Sequence, residues 1–270
     1  MARPVVLKLG GELLEEASSV QALAVEIVRA SAAAPIAVVH GGGREIDVAL
    51  AKAGIPKRQV DGIRVTDGPT LDIVVSVLAG SINTRFVAAI NAAGGRAVGL
   101  TGADSAVAPV EPMQPFQSVA GGTVSLGLVG RPLLDGVPHL VAHLLGGGYV
   151  PVVATLGAGP DGTLYNVNAD TLAAALAVRL QAARLLVAGT TPGVLDAEGR
   201  TIARLAPYAE QALAAAGTVN RGMLAKLHAC REARGGGVTD VAIVDGRDAA
   251  GLRAALEGSA AASGFMTRVL

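Results

Sequence analysis

A chain of 270 residues that is 51% hydrophobic, with 36 glycines, 2% aromatics and no tryptophan, can build one large α/β core from aliphatic strands and helices. Its 22 basic and 22 acidic residues cancel without a Lys/Arg block, which argues against a nucleic-acid partner, and its single cysteine, Cys230, excludes an internal disulfide. Apolar runs are interrupted short of the roughly 18 residues a bilayer crossing needs, and Met1 to Pro4 lead into a strand without a signal peptide's apolar region, so a cytoplasmic protein with no membrane partner is expected.

Pro4 to Leu9 reads as a buried strand whose one charge, Lys8, needs a charged partner to offset the cost of burial. It runs into Gly10-Gly11, where backbone can approach an anion closely, and then into an amphipathic helix from about Ser19 to Ala32. A second strand, Pro35 to Val39, meets His40-Gly41-Gly42-Gly43 and a helix from about Glu45 to Ala53. Three glycines at a strand-to-helix turn suit an anion held at the helix N-terminus. Ile46 stands where the dinucleotide fingerprint G-x-G-x-x-G needs its third glycine, and G-x-x-x-x-G-K-[ST] is absent. His40 lacks partners at metal-ligand spacing and reads as a hydrogen-bonded core or rim residue.

Gly62 to Asp67 reads as a short loop or strand, with Thr66 or Asp67 capping a helix from about Thr70. Arg64 is either a salt-bridged structural arginine or a clamp for a carboxylate. The helix, apolar on more than one face as far as Asn91, is expected to be buried, partly by another subunit, with Asn83 as a specificity or interface group. Arg96 to Leu100 is a strand ending in Thr101-Gly102. Residues 106–131 read as a β-hairpin insertion, alternating around Gly121-Gly122, of the kind that lids a site. Leu133 to Leu145 reads as a helix stopped by Gly146-Gly147-Gly148, and Tyr149 to Thr155 as a buried strand.

Asn166-Val167-Asn168-Ala169-Asp170 then forms a polar knot ahead of an Ala/Leu-rich helix. Asn168 or Asp170 could simply cap that helix. Beyond it lie a strand (Arg184 to Ala188), a turn-rich loop (Gly189 to Asp196), a helix (Ala206 to Ala216) and a loop from Thr218 that opens a helix with Lys226 one turn inside. A strand (Val238 to Val244), a helix (Ala249 to Glu257) and a tail (Phe265 to Leu270) complete an α/β fold with a mainly parallel open sheet. Ligands of such sheets bind at the strands' carboxyl ends, so Lys8, the glycine turns and the knot should face one crevice. Two lysines oriented by Asp170 suit phosphoryl transfer, in which charge spreads over the transition state.

Lys8-Leu9-Gly10-Gly11, Val39-His40-Gly41-Gly42-Gly43, Gly62-Ile63-Arg64-Val65-Thr66, the knot and Gly222-Met223-Leu224-Ala225-Lys226, in this order, resemble the amino-acid kinase family. Within it the likeness is strongest to the members that phosphorylate the side-chain carboxylate of N-acetyl-L-glutamate with ATP in arginine biosynthesis. The resemblance implies a three-layer αβα sandwich in two lobes meeting near residue 175, the first binding the acceptor and dimerising, the second binding nucleotide. It makes Lys8, Lys226 and Asp170 catalytic and assigns the acylated amino acid to Gly42, Gly43, Arg64, Asn166 and Asn168. Gly10, Gly11, Thr190, Gly193, Asn220, Gly222 and Met223 fall to the nucleotide, with Mg²⁺ carried by ATP and no protein metal cage. Two places depart from the family pattern. Gly189-Thr190-Thr191-Pro192-Gly193 stands where Thr/Ser-Asp-x-x-Gly is usual, and Arg221-Gly222-Met223 stands for Gly-Gly-Met. No helix precedes the first strand, as it does in arginine-regulated hexamers, so a homodimer with Leu71 to Asn91 near its interface is expected. The alternatives are a kinase for an N-acetyl- or carrier-linked aminoadipate, or a catalytically silent acceptor-binding relative.

Overall fold

The central strand, β1 (Val5–Leu9), is buried at every position, and its alternation divides the core in two. The computed structural model describes residues 2–119, 121–258 and 265–270. After β1 come α1 (Ala17–Ser31), β2 (Ile36–His40), α2 (Gly43–Lys52), a ribbon of β3 (Gln59–Val60) and β4 (Ile63–Arg64), α3 (Gly68–Val75), a π-helical stretch (Ser76–Ile82), α4 (Asn83–Ala92) and β5 (Ala97–Thr101). The middle of the chain forms β6 (Val110–Pro112), β7 (Phe116–Gln117), β8 (Thr123–Val124), β9 (Val129–Pro132), α5 (His139–Gly146), β10 (Val150–Ala154), β11 (Leu156–Ala158) and β12 (Leu164–Val167). The last part holds α6 (Ala169–Arg179), β13 (Arg184–Gly189), β14 (Arg204–Leu205), α7 (Ala209–Ala215), α8 (Arg221–Gly235), β15 (Asp240–Asp245), α9 (Ala249–Glu257) and β16 (Met266–Val269).

Eight strands make one sheet in the order β14-β16-β15-β13-β1-β2-β10-β5. The strands from β15 to β5 run parallel, while β16 lies antiparallel to β15 and carries β14 with it. Val5, Leu7 and Leu9 pack with Ile27 of α1, Phe86 of α4 and Leu252 of α9 on one face. Val6 packs with Val141 of α5, Leu172 of α6 and Cys230 of α8 on the other. This is the expected αβα sandwich, and each fully buried Val, Leu or Phe stabilises it by about 1.5–3 kcal/mol. Chain order reverses at β1, which lies between β13 and β2. Such a reversal opens a crevice at the carboxyl ends of the two central strands.

Several elements differ from expectation. The helix expected from Leu133 starts only at His139; Pro138 precedes it, and Leu133, Leu134 and Val137 lie exposed. The hairpin of β7 and β8 is present, with Gly121 and Gly122 at φ 94° and 86° in its turn. The insertion is larger than one hairpin, however, because β6 and β9 join β11 and β12 in a four-stranded sheet that ends at the polar knot. The tail from Phe265 to Leu270 holds a strand, Met266–Val269. The helical run Gly68–Ala92 reaches a mean hydropathy of 1.8, apolar enough for a membrane span. It is nevertheless a core element, since Leu78, Ile82, Phe86 and Ile90 are at most 1% exposed. Asn83 also turns inward, donating to the Val152 carbonyl at 2.9 Å, so its place is the core and not an interface.

Candidate active site

Lys8 has the parity of Val6, which turns its side chain toward α6. There Asp170, in the first turn of α6, holds the Lys8 ammonium at 2.9 Å through Oδ1 and the Lys226 ammonium at 3.3 Å through Oδ2. Asn168 makes that geometry possible: its Oδ1 accepts from the backbone N–H of Asp170 and Thr171 at 2.9 and 3.1 Å, fixing the first turn of the helix. Lys226 arrives on α8, whose start is fixed in the same way by Asn220, accepting from Met223 N–H at 2.8 Å.

Burial opposes every charge in this triad, but the balance differs between members. Desolvation works against ionised Asp170, yet Lys8 and Lys226 outweigh it and hold the carboxyl below the usual carboxylate range. Lys8, though buried, is held above the ordinary lysine value by Asp170. Burial and the neighbouring Lys8 charge lower Lys226, only partly offset by Asp170. A carboxylate bracketed by two ammonium groups leaves net positive charge at the floor of the crevice.

Two glycine loops meet above the triad. Gly10 N–H donates to Ala188 O at 3.0 Å and Gly41 N–H to Leu9 O at 3.2 Å, tying both loops to the strand ends. A Cβ on Gly11 would lie 2.7 Å from the Gly42 Cα, and one on Gly42 would lie 2.1 Å from Ile82 Cδ1. Gly11 thus lets backbone pack on backbone, and Gly42 makes room for the Ile82 side chain. Over Gly10 lies the Glu12 carboxylate, whose Oε1 would be 2.4 Å from an added Cβ there and 3.6 Å from one on Gly189.

Beside the triad a pocket is lined by Gly41, Gly42, Gly43, Arg64, Asn166 and Asn168, among others. Arg64 is 8% exposed; its Nη2 donates to Gly43 O at 3.2 Å and to the Asp47 carboxylate, while Nη1 is buried without a partner. Asp47 is itself paired with Lys57 at 2.6 Å. Desolvation of Asp47 is outweighed by Lys57 and Arg64, which keep it ionised below its ordinary value. Arg64 is thus a salt-bridged structural arginine through Nη2, while Nη1 makes no hydrogen bond within the protein. Asn166 donates to Thr66 Oγ1 at 3.1 Å, and Thr66 in turn donates to Arg64 O at 3.2 Å. Behind the pocket His40 donates from Nδ1 to Gly41 O and accepts at Nε2 from Asn83, both at 3.1 Å. Burial lowers its pKa to about 4, so it is a neutral structural imidazole.

A family model described as the amino acid kinase family matches residues 3–245. The chain belongs to the amino acid kinase family. Its relatives include the acetylglutamate kinase of Azoarcus sp. (strain BH72), 39% identical over 91% of this chain and 82% of that one. The acetylglutamate kinase of Zymomonas mobilis is 41% identical over 90% and 82%. Among solved structures, N-acetylglutamate synthase from Neisseria gonorrhoeae, complexed with coenzyme A and N-acetyl-glutamate, superposes with a TM-score of 0.81 at 23% identity. It matches 99% of this chain, which spans 59% of the synthase chain. Carbamate kinase from Giardia lamblia bound to AMP-PNP superposes with a TM-score of 0.68 at 16% identity, covering 100% and 98%. At such identities the likeness is one of amino acid kinase fold alone.

In this kinase the expected residues separate by their surroundings. Lys8, Asp170 and Lys226 converge, as do Gly42, Gly43, Arg64, Asn166 and Asn168. Gly193 faces elsewhere: at φ 91° it lies against β16, where a Cβ would come 2.4 Å from Thr267 Oγ1. Thr66 was expected as a possible helix cap, but Asp67 caps α3, accepting from Thr70 N–H at 3.1 Å, and Thr66 holds Asn166. Asp47 and Glu12 were missed. The signal for Asp47 was a carboxylate one turn into the helix that opens at the glycine cluster.

Proposed function

We propose that this chain phosphorylates the side-chain carboxylate of N-acetyl-L-glutamate with ATP, forming the acyl phosphate. The observation that carries the reading is the Lys8–Asp170–Lys226 bracket at 2.9 and 3.3 Å beside a pocket holding a buried, half-paired arginine. The acceptor's α-carboxylate would take the free Nη1 of Arg64, and Asn166 would bind its acylated end. The side-chain carboxylate would then lie toward the triad. An oxygen of it attacks the γ-phosphorus, the bond to the β,γ-bridging oxygen breaks, and ADP leaves with that electron pair. Lys8 and Lys226 stabilise the charge on the transferring group, while Asp170 holds both without entering the bond changes. The loop of Gly10 and Gly11 and the lysines fit a phosphate chain, and Mg²⁺ bound to ATP would supply further neutralisation of its charge.

In this reading residues before about 175 take the acceptor and those after it take nucleotide, through Thr190, Asn220, Gly222 and Met223. A homodimer with Leu71 to Asn91 near its interface belongs to the same reading, and sedimentation velocity tests it. The names of the acetylglutamate kinase relatives support the choice of acceptor. The test of function is hydroxamate formation with MgATP and N-acetyl-L-glutamate, N-acetyl-L-aminoadipate or unacylated glutamate. Turnover with N-acetyl-L-glutamate above the other two is expected; turnover with aminoadipate alone would reassign the acceptor.

A further inference from the structure

Three segments from distant parts of the chain meet at the carboxylate of Asp61. The residue lies in the turn between β3 and β4, three positions before Arg64, with Asp61 at φ 51° and Gly62 at φ 85°. Such left-handed pairs form the two-residue turns that Asp-Gly sequences favour, so the turn holds this carboxylate in place at little cost. Its Oδ2 accepts from Val119 N–H at 3.0 Å, in the loop joining β7 and β8. Its Oδ1 pairs with Arg221 Nη1 at 3.1 Å, at the first position of α8. Arg221 follows Asn220, which caps α8, and lies on the helix that carries Lys226. The Asp61 side chain is 16% exposed and that of Arg221 is 63% exposed.

We propose that the Asp61–Arg221 pair is a bridge across the mouth of the crevice that couples occupancy of the nucleotide side to the geometry of the acceptor pocket. The coupling rests on the two-substrate reading above. The pair is already made at 3.1 Å, and nucleotide bound at the start of α8 would hold the Arg221 guanidinium there against Asp61. Asp61 in turn steadies the β3–β4 turn that presents Arg64, and the β7–β8 loop beside it. Binding of either ligand then lowers the cost of ordering the other side, and the effect is reciprocal. Asp61 and Arg221 are positioning residues here and touch neither ligand.

The experiment is calorimetric titration of N-acetyl-L-glutamate with and without saturating MgADP, on the parent chain and on R221E, R221K, D61N and D61N/R221E. Arg221 is exposed enough for its variants to fold, and Asn at position 61 tolerates the left-handed turn. For a bridge exposed at its Arg221 end, the parent should bind acceptor about two- to fivefold tighter with MgADP present. R221E and D61N should abolish that ratio, R221K should keep most of it, and the double variant should be no worse than either single one. Raising the salt concentration should shrink the parent ratio. Equal ratios in parent and R221E, with turnover intact, would overturn the bridge and leave the kinase reading standing. A parent chain that binds neither ligand would overturn the kinase reading, and the bridge with it.

Discussion

The two sides of the crevice are built differently. On the side proposed to take the acceptor the polar groups are buried and already engaged: His40 and Thr66 are 0% exposed, Asn83 5% and Arg64 8%, and each has a partner inside the protein. On the side proposed to take nucleotide, the Arg221 side chain at the start of α8 is mostly solvent-facing. In the proposed reading such a pocket holds the small substrate in one direction, since its engaged groups are fixed in place and Arg64 Nη1 is left unpaired. The triad lies where the sides meet, and Asp170 belongs by sequence to the first while holding a lysine from each.

The sharpest way to break this contrast is to remove a charge that acts mainly in the transition state. Lys8→Ala should lower kcat about 10²- to 10³-fold while calorimetric affinity for N-acetyl-L-glutamate stays near the parent value. A loss of acceptor binding of the same size would mean that Lys8 serves the ground state. The next effect concerns the buried acceptor side and pH. His40 has a folded pKa of about 4 against an ordinary 6.5, so the unfolded chain binds the extra proton first. Stability from its neutral form is therefore full above pH 6.5 and is lost as pH falls toward 4, by about 3 kcal/mol. Urea unfolding at pH 7 and at pH 4.5 measures it, and a His40→Gln variant should show a flatter profile over that window.

A smaller effect tests the half-free arginine. Arg64→Lys keeps a charge but loses the fork that pairs Asp47 with one nitrogen and leaves another for substrate. The acceptor KM should rise about tenfold or more, corresponding to roughly 1.5–3 kcal/mol for a charge-assisted hydrogen bond, with the MgATP KM unchanged. A rise in both constants would show that the two sides are not separable at this residue.

Legibility in the sequence followed the same division. Lys8 stood out because an ammonium inside an aliphatic strand demands a counter-ion, and the knot stood out because amides and a carboxylate rarely interrupt such apolar flanks. The alternation of strand and helix gave the α/β class and the mainly parallel open sheet, while the αβα layering was implied by the family resemblance. What escaped was long-range pairing: Asp47 looks like any helix-surface carboxylate until Arg64 and Lys57 are seen around it. Asn83 looks like an interface amide until His40 and Val152 claim it. Strands as short as β11 and β14 offer too few residues for alternation to register, and β16 forms because β15 offers it a paired edge. Glycine was an ambiguous signal, since Gly11 and Gly193 make room for other parts of the protein as well as for any ligand.

Glu12 gives the smallest and most diagnostic effect, because it is an exposed side chain in the middle of the nucleotide side. Its carboxylate rests over Gly10 and reaches toward Gly189, and its charge favours the protonated forms of both Lys8 and Lys226. If Gly10 and Gly11 take the nucleotide phosphates, as proposed, Glu12 stands in their place and offers the same charge to the same lysines. A phosphate must displace it, so its charge weakens nucleotide binding by competition. Glu12→Gln should tighten MgADP binding, and lower the MgATP KM, about two- to fivefold, the scale of one exposed charge interaction, with the acceptor KM unmoved. The opposite sign, weaker nucleotide binding in the Gln variant, would assign the carboxylate to holding the nucleotide's cation and make the two sides of the crevice equally prebuilt.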